Sequence, residues 1–230
     1  MAQRPGEPSL PHARGQGMKV CIALPCRDMV NTGFAYDLAR LSAYWSSQHL
    51  PNGDELMFLT SMGTLIANQR EELAEQAIVN GADWILWLDT DMRFPKDTLD
   101  RLLAHDVPIV AANYATRRIP VKTVAFDFIE SKWECVYTKP EDTGLREVVA
   151  VGMGVFLVRA DVLKSMPKPW FHIGYSLKSG NFSGEDIHFC KQARIYGNKI
   201  LIDQDLSKEV KHIGIFEYTH DHAEACLEDV

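Results

Sequence analysis

Two aspartates, Asp89 and Asp91, stand one residue apart behind the apolar run Trp84–Leu88. A strand that ends in paired carboxylates delivers them to the edge where open α/β sheets bind ligands. Carboxylates this close repel each other unless a cation or a donor hydroxyl lies between them. A hard divalent ion accepts carboxylate oxygen, and Mg²⁺ commonly bridges one or two carboxylates to a substrate's phosphates. The competing reading of Asp89-Thr90-Asp91 is a turn that caps the next segment. The apolar strand ahead of it favours chemistry.

Arg70 is the next residue of interest. Ile66, Arg70, Leu73 and Ala77 follow one another at helical spacing, so Arg70 shares the apolar face. A guanidinium on a burying face needs an anion. Donor phosphate, Asp89, or an internal pair that orients a carboxylate would each serve. Further on, Ser183-Gly184-Glu185-Asp186 has the form of a capping box, in which Asp186 would bond the Ser183 backbone N–H. The same carboxylate suits a general base, since a helix N-terminus keeps it ionised at rest.

The elements that must hold these groups alternate in type. Val20–Leu24, Glu55–Thr60, Trp84–Leu88 and Pro108–Ala112 read as strands. Helices are expected over Phe34–Ser47, over Leu65–Val79 up to Asn80-Gly81, and from Pro95 to Leu103. That alternation argues a mostly parallel α/β sheet. Thr123–Phe128, Trp133–Tyr137 and Glu147–Ala150 read as short strands of a mixed or antiparallel patch. Met153–Val158, a helix over Ser183–Tyr196 ended by Gly197, and late strands at Ile200–Ile202 and Val210–Ile213 complete the pattern.

Bulk properties set limits. The 230 residues are 46% hydrophobic and carry a net charge of −7, which disfavours a non-specific nucleic-acid binder or an anionic membrane surface. No apolar run approaches the ~20 residues of a membrane helix, and no secretory signal is legible. The five cysteines are scattered without a Cys-x-x-Cys pair, as expected for reduced thiols and a cytoplasmic location. Residues 1–17 are rich in Pro and Gly and read as a disordered leader, with Met18 a candidate natural start. One domain is expected over residues 18–216, followed by a tail, 217–230, in which His220-Asp221-His222 reads as solvated.

In combination and order, Asp89-Thr90-Asp91, Glu185-Asp186 and His212 resemble the GT-A-fold glycosyltransferases of the family-2-like kind. LDTDMRFP, ANYATRR, VGMGVFLVR and SGEDIHFC look like bacterial and phage-borne members, and the resemblance spans roughly residues 18–216. It implies a single Rossmann-like GT-A domain with a small mixed-sheet acceptor side. It implies transfer from a nucleotide-sugar, UDP-sugar favoured, to a hydroxyl of a glycan or glycoconjugate, with inversion favoured. By the same resemblance Asp91 and His212 would ligate Mn²⁺ or Mg²⁺. Asp89 would reach the ribose, or the metal through water, with Thr90 beside it. Asp186 would be the base and Glu185 would position the acceptor. The loop Pro25, Arg27 and Asp28 would meet the nucleobase, and Asn68 the nucleoside unless it is plain helix surface. Gly154 would lie on the acceptor side, where Trp170, Phe171 or Tyr175 would stack on a sugar or fill core. Arg117-Arg118 would clamp phosphate or acceptor, or else reads as solvated loop charge, the favoured of the two.

Two other functions fit parts of the pattern. Nucleotidyl transfer onto a sugar phosphate usually needs a Gly-rich loop and a lysine after the first strand, and Pro25–Gly33 holds one glycine. A non-catalytic glycan- or nucleotide-binding module is the third reading.

Overall fold

The computed structural model describes residues 17–130, 132–177 and 180–215. The N-terminal half runs β1 (Lys19–Cys26), α1 (Thr32–His49), β2 (Glu55–Met62), α2 (Ile66–Val79), β3 (Trp84–Leu88), β4 (Met92–Arg93), α3 (Thr98–Ala104) and β5 (Ile109–Ala111). The middle holds β6 (Ala125–Ile129), β7 (Lys132–Cys135), β8 (Leu145–Val148), β9 (Ala150–Val151), β10 (Val155–Arg159) and α4 (Ala160–Lys164). The remainder is β11 (Gly174–Ser176), β12 (Asn181–Ser183), α5 (Glu185–Ile195), β13 (Ile200–Asp203), α6 (Gln204–Ser207) and β14 (Lys211–His212).

A seven-stranded sheet in the order β2-β1-β3-β10-β5-β13-β8 organises the chain. Period-two alternation sends each central strand's side chains to two cores. Cys21, Ala23, Ile85, Trp87, Phe156 and Val158 join one core, with Ala67, Leu73, Ala74 and Ala77 of α2 and Phe189 of α5. Val20, Ile22, Leu24, Leu86, Leu88, Val155 and Leu157 join the other, with Phe34, Leu41 and Trp45 of α1. Strands β3 and β5 are buried throughout, and β10 nearly so, as their continuous apolar runs require. Asn31 caps α1 by accepting from Gly33 N at 2.9 Å. Gly81 and Gly197 follow the ends of α2 and α5 with φ near +79° and +83°, a region costly for other residues.

The alternation was legible, but one strand direction was not. β10 pairs antiparallel with both β3 and β5, splitting an otherwise parallel set, and β8 runs antiparallel to β13 at the edge. The stretch expected as one strand over Glu147–Ala150 breaks at Val149. β8 stays in the main sheet while β9 joins β6 and β7 in a separate antiparallel sheet. β4 and β14 form a two-stranded ribbon, with Met92 opposite His212 and Arg93 opposite Lys211. The expected leader, apart from Gly17, and the tail with His220-Asp221-His222 lie outside the described residues. Among the described residues no helix is long and apolar enough to cross a membrane.

Candidate active site

The Asp89-Thr90-Asp91 turn is fixed by backbone bonds on several sides. Asp89 N donates to Gly154 O at 3.0 Å, extending the β3–β10 ladder by one rung. Met92 N returns to Asp89 O at 3.1 Å, and Asn31 N reaches Thr90 O at 3.3 Å. Ile213 N donates to Asp91 O at 2.8 Å, which ties the end of the ribbon to the turn. The turn therefore sits at the carboxyl end of β3, beneath a cleft of about 340 Å³. Pro25, Cys26, Arg27, Gly63, Thr64, Ile66, Gln69, Asp89, Thr90, Asp91, Arg117 and His212 line it.

His212 Nε2 lies 3.4 Å from Asp91 Oδ1, and Arg117 Nη1 lies 2.8 Å from Asp91 Oδ2. Burial alone would raise the Asp91 carboxyl. The His212 hydrogen bond and charge, with the Arg117 charge, outweigh that and hold it below the usual carboxylate value. His212 Nδ1 is 3.0 Å from Ala115 O, and a carbonyl can only accept, so that nitrogen carries a proton. Nε2 is then the nitrogen turned toward Asp91, and a cation held between the two side chains would take it as ligand in place of that hydrogen bond. The imidazole also meets the Tyr114 ring edge-on at 5.3 Å.

Asp91 and His212 are the side chains of the cleft that could share a divalent ion, phosphate and water then supplying the other ligands. Among the described residues no group of three or more His, Cys, Asp or Glu side chains is arranged to hold a metal. Asp89 does not complete a three-ligand set. Its Oδ1 accepts from Arg70 Nη2 at 2.8 Å.

Arg70 is 2% exposed, as its place on the apolar stripe of α2 predicts. Its Nε reaches Glu185 Oε1 at 3.2 Å, so one buried cation joins the carboxylates of β3 and α5. Burial works against its charge, and Asp89, Glu185 and Asp186 together more than restore it. The guanidinium lies 5.5 Å from the Trp87 ring, adding cation–π attraction.

Asp186 departs from the capping box. Gly184 is the N-cap of α5, and Asp186 Oδ1 accepts from Ile187 N at 2.7 Å instead of from Ser183. Burial and the neighbouring Glu185 charge push its carboxyl up to about 6, against the pull of the helix amide and Arg70. The group thus remains ionised near neutrality, but desolvation outweighs the helix end, so the carboxylate is a stronger base than its helix position implies.

Pro25, Arg27, Thr90, Asp91 and His212 face one cleft. Asp28 and Asn68 are exposed and do not line it. Gln69, not anticipated, takes the inner position, donating to Cys26 O at 2.6 Å and Ser61 O at 2.5 Å. Trp170 is 6% exposed with Nε1 on Met166 O at 3.2 Å, and Phe171 packs against Trp87 and Phe189; both are core. Stacking of a sugar on Trp170 is ruled out by that burial. Gly154 is shaped by the protein: a Cβ there would lie 2.6 Å from Tyr114 Oη, which accepts from Gly154 N. Of the two readings of Arg117, solvated loop charge gives way: it lines the cleft beside Asp91. Its loop is anchored by buried Asn113, which donates to Val136 O at 2.7 Å and accepts from Ala125 N at 3.0 Å.

A mostly parallel seven-stranded sheet with one reversed inner strand and an Asp-x-Asp turn at the end of β3 is the GT-A fold. Among solved structures it is similar to A197 from STIV, at 14% identity over 89% of this chain and 100% of that one, with a TM-score of 0.52. It is also similar to residues 1–349 of S. aureus TarS in complex with UDP-GlcNAc, at 16% identity and a TM-score of 0.51. That match covers 90% of this chain and 61% of TarS 1–349. At these identities the likeness establishes the fold. No family model matches the chain, and no curated protein sequence matches it.

Proposed function

We propose that the protein transfers a sugar from a nucleoside-diphosphate sugar to a hydroxyl acceptor, with Mn²⁺ or Mg²⁺ held between Asp91 and His212. The observation that carries this reading is the Asp91–His212 pair at 3.4 Å on the floor of the cleft, with Nε2 of the imidazole facing the carboxylate. A UDP-sugar is the favoured donor, supported by the fold shared with a structure that contains UDP-GlcNAc.

The residues divide the work. Pro25 and Arg27 line the cleft, where they would meet the nucleoside, and Arg117 supplies positive charge beside Asp91. A bound divalent ion would stabilise the charge that grows on the diphosphate as the glycosidic bond breaks, more in the transition state than before it. Asp89 is oriented by Arg70 toward the donor. On the acceptor side Asp186 takes the proton from the attacking hydroxyl, and Glu185, held by Arg70, orients that hydroxyl. Direct attack by the deprotonated hydroxyl inverts the anomeric centre.

One observation favours a second reading, in which the cation is internal. Arg117 already occupies one oxygen of Asp91, and a guanidinium can offset part of a diphosphate's charge without a metal. Incubation with a panel of nucleotide-sugars, in Mn²⁺ or in EDTA, tests both. Diphosphate release from one donor in Mn²⁺ alone supports the first reading. Equal release in EDTA supports the second. No release from any donor overturns transferase activity.

A further inference from the structure

We propose that the pocket between α1, β4 and β14 is a second anion site, which takes a phosphate ester. It is a cavity of about 460 Å³, and no residue lining it also lines the cleft above Asp91. Arg40 of α1, Arg93 of β4, and Lys208 and Lys211 bring four cations to it, against Asp37 and Glu209. Both acids already have partners. Asp37, 4% exposed, accepts from Arg93 Nε at 2.5 Å, Arg93 Nη2 at 3.2 Å and Phe94 N at 3.3 Å. Glu209 accepts from Arg101 Nη1 at 2.7 Å. Lys208 is spent on Pro140 O, Asp142 O and Asp205.

Among the described residues Arg40 and Lys211 form no ion pair, and Arg93 Nη1 makes no hydrogen bond, since Asp37 holds the other two nitrogens. Arg93 is fixed from a second side by Gly33, where a Cβ would come within 2.9 Å of its Cδ and Nη1. One held guanidinium nitrogen and two exposed cations lining the same cavity, from three separate elements, are suited to a doubly charged oxyanion with several acceptor oxygens. In a chain of net charge −7, unmatched cations gathered in one cavity need a local reason. The volume exceeds that of phosphate alone and leaves room for a small organic group against Phe94 and Pro95. The site stands on binding geometry and does not depend on sugar transfer.

The test is calorimetric titration with inorganic phosphate and with glycerol 1-phosphate. The intact protein, the Arg40→Gln/Lys211→Gln variant and the Arg117→Gln variant are compared. Arg40 and Lys211 are exposed, so the double variant is expected to melt at the parent temperature. The parent and Arg117→Gln proteins should bind glycerol 1-phosphate alike, and the double variant about tenfold or more weakly. Loss in Arg117→Gln with retention in the double variant would assign the phosphate to the donor cleft and overturn the proposal. Absence of binding to the parent would overturn it too. Vesicles with and without phosphatidic acid distinguish the source. Co-sedimentation with the acidic vesicles, lost in the double variant, assigns the phosphate to a lipid headgroup; binding of the soluble ester alone assigns it to a soluble metabolite.

Discussion

The two oxygens of Asp91 are divided between partners: His212 approaches Oδ1 at 3.4 Å and Arg117 approaches Oδ2 at 2.8 Å. If a divalent ion is held here as proposed, the imidazole would be its co-ligand and the guanidinium its competitor. Arg117 is half exposed and has room to swing toward a diphosphate as it is displaced.

That exchange predicts opposite effects on two ligands. Arg117→Ala removes positive charge beside Asp91, so Mn²⁺ alone should bind more tightly. UDP in the presence of Mn²⁺ should bind more weakly, because a phosphate contact is lost. Titration calorimetry of each ligand reads both signs. Weakening of both would mean that Arg117 only shapes the loop.

Asp91→Ala should abolish the metal-dependent part of stabilisation by nucleoside diphosphate. At a ligand concentration of about 100 times Kd that stabilisation is about 2.7 kcal/mol in the parent. Thermal melts with UDP, with and without Mn²⁺, check it. A metal-dependent shift retained in the variant would move the ion away from Asp91.

Asp186→Asn should leave donor binding intact and reduce transfer by about 10²–10⁴-fold, the usual worth of a general base. Below pH about 6 the Asp186 carboxyl is protonated and cannot accept a proton; above it the group is ionised. The parent's kcat should therefore rise with pH through about 6 and level off, and the Asn variant should lose that limb. A pH–rate profile over pH 4.5–8 compares the two.

Arg70→Met should be costly. It leaves Asp89 and Glu185 partly buried with no counter-charge, a loss of about 3–5 kcal/mol when one partner of a buried pair is removed. Chemical denaturation measures it. Arg70→Lys should recover part of the stability and less of the activity, since one ammonium cannot serve both carboxylates in the same geometry.

Gly154→Ala distinguishes packing from acceptor binding. The added methyl meets Tyr114 Oη and the Met92 sulfur, and overpacking of this kind costs about 1–3 kcal/mol. The melting temperature should fall while the KM for acceptor stays constant; a rise in that KM would place Gly154 on the acceptor side.

The sequence carried the residues whose signals were local. Trp84–Leu88 is apolar at every position and so read correctly as a buried strand, and the helical spacing of Arg70 announced a buried guanidinium. What failed was non-local. The reversal of β10 rests on its pairing between β3 and β5, and nothing in Met153–Val158 encodes direction. Arg117 looked solvated because its anion, Asp91, is brought near by a loop hung from Asn113. Trp170 looked available because aromatic residues serve cores and sugar platforms equally well. Gln69 had a weak signal, since it stands four residues before Leu73 on α2, near the same face. Asp186 was placed by its sequence at a helix start, but its burial, and the Arg70 and Asp89 charges near it, arise only when the chain folds.

The β4–β14 ribbon has a consequence for biosynthesis. Asp91 leaves the ribosome well before Lys211 and His212, and the ribbon closes only when that late strand has emerged. During translation the nascent chain exposes an acidic turn with no imidazole beside it. If the proposed ion needs both side chains, competence to hold it would arrive in a single late event, and a product of premature termination before residue 212 should lose the metal-dependent part of nucleotide binding even where its sheet has formed.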